Sequence, residues 1–168
     1  MGTSGTIVIK INGIYYNIYN HFDSYPDGLG KTLLEQLYMI LSRIGIDGLI
    51  KLVNDVTWVS QAKPPTEEEK TKLAKYSDTT VEFGRLSSWY VLLRKNQGKL
   101  LAILHCGYCE AVKSEKVCSR EEYVYIIDLD NQFFEGRACD NEIFWSCHFN
   151  DIESFYFTTY NETIPFKT

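Results

Sequence analysis

Near the start of the chain, apolar and polar positions alternate with period two. Ile7, Ile9 and Ile11 fall between Thr6, Val8 and Lys10, and after Asn12-Gly13 the alternation resumes with Ile14, Tyr16 and Ile18. An Asn-Gly pair flanked by such alternation is a strong hairpin signal. A two-residue loop sets Ile11 opposite Ile14, Ile9 opposite Tyr16 and Ile7 opposite Ile18, so all six share one face, which we expect to be the core face. The spacing then becomes helical. Leu33, Leu37, Ile40, Leu41 and Ile44 predict a helix that stops near Gly45, and Leu49, Ile50 and Val53 predict a second short one from about Asp47. Lys63-Pro64-Pro65 breaks the chain, and Thr66-Glu67-Glu68-Glu69 is a capping box opening a charged helix toward Tyr76. Ser87-Ser88 before Trp89, Leu92 and Leu93 predict another helix, whereas residues 100–104 fit helix and strand equally.

The last third changes character. Residues 123–130, a turn at Asn131 and residues 132–135 read as strand, turn and strand, while Ile143 to Phe149 and Ser154 to Tyr160 are aromatic, β-prone runs that we expect to be strands. A hairpin, then helices, then strands predicts an α+β fold with a mainly antiparallel sheet and helices packed on it.

Composition narrows this outline. With 168 residues, 45% of them hydrophobic, the chain holds enough apolar material for one core, so a single globular domain over residues 1–168 is expected. No apolar run approaches the ~20 residues a membrane helix needs. The net charge is -5, unevenly spread: residues 85–120 carry seven basic side chains against Glu110 and Glu115, and residues 121–162 carry ten acids against Arg137. General nucleic-acid binding requires a continuous cationic surface and is not expected from one short basic stretch, although that stretch suits a small anionic ligand. Five cysteines in no regular framework, with no signal peptide before the first strand, predict free thiols and a cytoplasmic location. Without a secretory signal the Asn161-Glu162-Thr163 sequon carries no meaning, and the start at Gly2 fits a myristoylation pattern whose Thr6 already opens a strand.

Residues 19–30, Tyr-Asn-His-Phe-Asp-Ser-Tyr-Pro-Asp-Gly-Leu-Gly, concentrate polar groups at the end of a buried strand. His21 and Asp23 are two apart, so on an extended chain they point the same way, and a carboxylate beside an imidazole fixes its tautomer for general-base work. Gly28 and Gly30 allow backbone to approach a ligand where free amides at a helix start favour anions. We therefore take His21 and Asp23 as candidate catalytic residues and Asn20, Tyr25, Gly28 and Gly30 as candidate ligand-binding residues. The alternative is a turn in which Asp23, Ser24 and Asp27 only shape and cap the backbone.

This segment, with the Met-Gly-Thr-x-Gly start, resembles a family of small proteins of unassigned activity from phages, bacteria, fungi and large DNA viruses. The segments Trp89-Tyr-Val-Leu-Leu-Arg94, Gln97-Gly98 and Tyr125-x-Ile-Asp-Leu-Asp130 resemble it too, but the match is dense only over residues 2–30. The resemblance implies a shared fold and pocket, and with them a module, viral in setting, that binds a small molecule or a host protein. A looser similarity to N-terminal-nucleophile hydrolases implies a layered sheet. It also implies Thr3 as a nucleophile, near Asp23 across the hairpin, in an amide or ester hydrolase. Thr3 is N-terminal only after loss of both Met1 and Gly2.

Three other constellations are weaker. Gly30-Lys31-Thr32 lacks the earlier glycine of a phosphate loop, that position being Tyr25. Cys106-Gly-Tyr-Cys109, with His105, Cys118, Cys139, Cys147 and His148 elsewhere, lacks the second pair of a zinc site, so no metal or other cofactor is expected. Asp128 and Asp130 end a predicted strand and mark either a cation site or a turn.

Overall fold

The computed structural model describes residues 2–80 and 86–160; Met1 and the sequon at residues 161–163 lie outside them. The fold is α+β. Strands β1 (Gly5–Ile11) and β2 (Ile14–Asn20) form the predicted hairpin in the predicted register, Ile7 opposite Ile18 and Ile9 opposite Tyr16. Asn12 (φ 53°) and Gly13 (φ 74°) both take the left-handed conformation, as a two-residue turn matched to strand twist demands.

Helix α1 (Lys31–Asn54) follows and breaks at Gly45 (φ 67°), so the expected stop is a kink between two helical segments. Next come β3 (Thr57–Val59), α2 (Glu67–Leu73) with its reciprocal Thr66–Glu69 capping box, α3 (Trp89–Leu92), α4 (Leu100–Cys106), β4 (Tyr108–Glu110) and β5 (Val112–Ser114). Residues 100–104 are thus helical. The chain closes with β6 (Tyr123–Asp128), β7 (Phe133–Ala138), β8 (Ile143–His148) and α5 (Ile152–Tyr160).

One expectation needs correction. The run Ser154–Tyr160 is helix, not strand: Ile152, Tyr156 and Phe157 are buried at helical spacing, and this period outweighs the β-prone composition. The main sheet, in order β5-β2-β1-β6-β7-β8, is antiparallel except at its centre, where β1 runs parallel to β6. β3 and β4 form a separate two-stranded parallel sheet.

One sheet face, with Ile7, Ile9, Tyr125, Ile127 and Phe134, packs against Leu33, Leu34 and Leu37 of α1 and against α4 and α5. Each such aliphatic side chain contributes about 1.5–3 kcal/mol on leaving water. On the opposite face Val8, Val124 and Ile126 gather with Tyr15 and Val117. A satellite cluster of Leu73, Trp89, Leu92 and Leu93 ties α2 and α3 to Val59 and Tyr108 of the small sheet.

Asp128 and Asp130 are taken up at the sheet's centre. Asp128 meets Lys10 at 3.1 Å and accepts from Asn131, while Asp130 accepts the Asn12 and Gly13 amides at 2.7 and 2.9 Å. Burial raises the Asp128 carboxyl, but the bonds from Asn131 and Lys10 outweigh it and hold the group below the usual aspartate value. Both carboxylates therefore fix the hairpin turn to the end of β6.

Candidate functional site

The turn after β2 has an inward and an outward half. Inward, Asn20 is 5% exposed and donates through Nδ2 to Phe22 O (2.6 Å) and Ser24 Oγ (2.8 Å). Fully buried Ser24 receives the Tyr125 hydroxyl on its carbonyl at 2.8 Å and donates its amide to Thr3 O at 3.0 Å. The Leu29 amide donates to Asp23 O at 2.7 Å, and the Tyr160 hydroxyl donates to Pro26 O at 3.0 Å. Close approach explains both glycines, of backbone at Gly28 and of aromatic rings at Gly30. A Cβ on Gly28 falls 2.2 Å from Asp23 O, and one on Gly30 falls 2.8 Å from Trp145 and 2.9 Å from Tyr125.

The glycines' close approaches are therefore to the protein's own groups. The Gly28 and Gly30 amides are also taken, both by Tyr25 O, at 2.9 and 3.4 Å, which corrects the expectation of free donors at this helix start. Thr32 Oγ1 likewise donates to Gly28 O at 3.1 Å.

The outward half presents rings. Tyr19, Phe22 and Tyr25 are 41, 51 and 40% exposed. His21 Nδ1 and the Tyr19 hydroxyl share a 2.7 Å hydrogen bond, while the Tyr25 hydroxyl donates to Asp23 Oδ1 at 2.7 Å. Asp23 takes the left-handed conformation (φ 51°), so the strand has ended and the two-residue alternation that aligned it with His21 no longer applies. Among the described residues no hydrogen bond joins His21 to Asp23. Thr3 meets the turn through its backbone: its carbonyl accepts the Ser24 amide.

β5 pairs with β2 only from Tyr15 to Asn17, so among the described residues this edge of β2 has no strand neighbour from Ile18 onward. A cleft of about 670 Å³ opens there, between β2, the β3–β4 sheet and α3. Its walls include Trp58, Trp89, Tyr90 and Tyr108, and it meets the turn at Tyr19. Trp58 is stacked on Tyr16 at 4.1 Å, and the Trp89 indole donates to Lys63 O at 2.8 Å, so both large rings are fixed. Glu110 and Lys113 are the charged residues in the described lining. Burial pushes the Glu110 carboxyl above its ordinary value, against the hydrogen bond from Gln61. Asn96, 4% exposed, also borders the cleft, and its Nδ2 has no geometrically sound hydrogen-bond partner among the described residues.

Beside Tyr90 the Arg94 guanidinium sits 5.2 Å from the ring centroids of both Phe22 and Tyr90. Its Nη1 donates to Gln97 Oε1, which also accepts the His21 amide at 2.9 Å. The sequence drew Trp89, Tyr90, Arg94 and Gln97 into the family resemblance and Arg94 and Lys113 into a basic stretch suited to an anion, but named none of them as site residues. Nothing local shows that Trp58, Trp89 and Tyr108 converge.

The thiols show no metal arrangement: among the described residues no three His, Cys, Asp or Glu side chains gather to hold an ion. All five cysteines are free; burial pushes the Cys106 and Cys109 thiols up and Cys147 to about 11, which disfavours the reactive thiolate. No described helix is long and apolar enough to cross a membrane. No protein-family model matches the chain, and neither curated proteins nor solved structures give a match.

Proposed function

We propose that the chain is a small-molecule-binding module whose ligand seats in the aromatic cleft beside β2. The observation that carries this reading is the cleft itself: about 670 Å³, walled by rings held in place from behind, with polar groups such as Gln61, Gln97 and Glu110 set among them. Ligand pockets occupy roughly 300–1,000 Å³ and combine apolar walls with a small number of placed polar groups. The turn at residues 19–30 borders the cleft through Tyr19 and acts as its scaffold. We extend the reading to the family that residues 2–30 resemble, because the resemblance includes Asn20, Ser24, Gly28 and Gly30 of this turn.

The test is a screen of planar organic fragments followed by the indole N–H signals of Trp58 and Trp89. Binding in the cleft moves both signals and raises the melting temperature with ligand concentration. If no fragment moves either indole, the reading is wrong.

A second reading, an amide or ester hydrolase using Thr3, draws on the 3.0 Å contact of Thr3 O with the Ser24 amide, which ties the start of the chain to the turn. It requires a mature chain that begins at Thr3, and a denatured intact mass that retains Gly2 rules it out.

A further inference from the structure

The cleft has a positive side. Arg94 is half-buried, bracketed by Phe22 and Tyr90, and tied to Gln97, and no described carboxylate lies within ion-pair distance of it. Tyr90 and Gln97 are themselves cleft walls and both contact Arg94, so the guanidinium adjoins the edge of the lining. Lys113 lies in the wall, and Lys72 sits 5.2 Å from the Tyr108 ring centroid. Opposing these cations, Glu110 is the one acid in the described lining, and its burial favours the neutral form. Asp78 also lies within the field of Arg94, but its carboxylate is engaged by the Thr80 amide and hydroxyl at 3.1 and 2.6 Å.

An arginine offers several donors in a rigid fork, and only one is used by Gln97. Holding it between two rings removes much of the rotamer entropy that an anion contact otherwise costs. Resting on the cleft reading above, we propose that the ligand is a planar ring compound bearing an anionic group, the ring in the aromatic cleft and the carboxylate, sulfonate or phosphate on Arg94. His21 flanks this position: its ring lies 4.3 Å from Phe22 and 6.4 Å from Tyr90, edge-on to both.

Two probes with the same rings separate the inference from the reading it rests on: anilinonaphthalene sulfonate and uncharged phenylnaphthylamine. Wild-type protein is expected to bind the sulfonate at least about tenfold more tightly, as a charge-assisted contact implies, with the preference shrinking as salt is added. In Arg94→Met the sulfonate loses that margin and the neutral probe keeps its affinity. Equal binding of both probes, insensitive to salt, overturns the anionic assignment and leaves the cleft reading standing. Binding of either probe without movement of the Trp58 and Trp89 signals overturns both. The wild-type comparison decides the matter even where Arg94→Met fails to fold.

Discussion

The two halves of the turn at residues 19–30 have the same polar density and opposite physical roles. Asn20, Ser24, Gly28 and Gly30 face inward and bond mainly to the turn's own backbone, whereas the side chains of Tyr19, His21, Phe22 and Tyr25 face outward and bond to or pack on other side chains. A dense polar motif therefore does not mark a binding surface by itself. The inward half fixes a backbone path, and that path decides where the outward rings stand relative to the cleft. The difference lies in burial: an unmet polar group inside costs free energy, and one outside finds water.

Gly28→Ala tests the inward half hardest. Its Cβ meets a backbone carbonyl, which cannot swing aside, so we expect a stability loss of about 3 kcal/mol or more in urea titration. A loss below about 1 kcal/mol, the ordinary scale of a Gly to Ala change, shows that the turn gives way easily and breaks the contrast between halves.

Tyr125→Phe comes next. It leaves the Ser24 carbonyl unpaired in the interior and is expected to cost about 1–3 kcal/mol. It also carries a pH signature. Burial raises the folded Tyr125 phenol well above the tyrosine value of 10.0. Its contribution is complete below that unfolded value and is lost as pH rises above it toward the folded one. The alkaline limb of the stability profile is therefore expected to flatten in Tyr125→Phe, with Tyr160, also raised by burial, retaining part of the slope.

The outward half supplies the small effects. Tyr25→Phe removes only the exposed bond to Asp23, and Phe22→Ala removes an exposed ring; each is expected to change stability by less than about 0.5 kcal/mol in the same titration. Phe22→Ala nonetheless frees one side of Arg94, so weaker sulfonate binding at unchanged stability is its expected mark. Loss of stability comparable to Tyr125→Phe in either variant erases the distinction drawn here.

How much of this was legible follows from range. The hairpin register was readable because period-two alternation and Asn-Gly act within a few residues, and the Thr66 capping box because it spans one helical turn. The α5 helix was misread because Phe155, Tyr156 and Phe157 are β-prone in composition while their burial follows a helical period. β3, β4 and β5, three residues each, were too short to leave a pattern. The turn's polar density was visible, but its inward and outward division depends on Tyr125 and Gln97, far along the chain. The cleft was illegible for the same reason: Trp58, Trp89 and Tyr108 come from three separate segments.

The central parallel pairing of β1 with β6 also constrains how the chain is made. Lys10 and Asp128 are 118 residues apart in sequence and adjacent in the sheet. During synthesis the hairpin emerges well before residues 123–128 and has one edge of β1 unfilled until they follow. At about 5–20 residues per second this interval lasts about 5–20 s. Through that time an Ile-rich strand edge lies open to other chains, and closure across so long a loop makes the final docking slow. The nascent hairpin is thus the stage of this protein's life most exposed to misassembly.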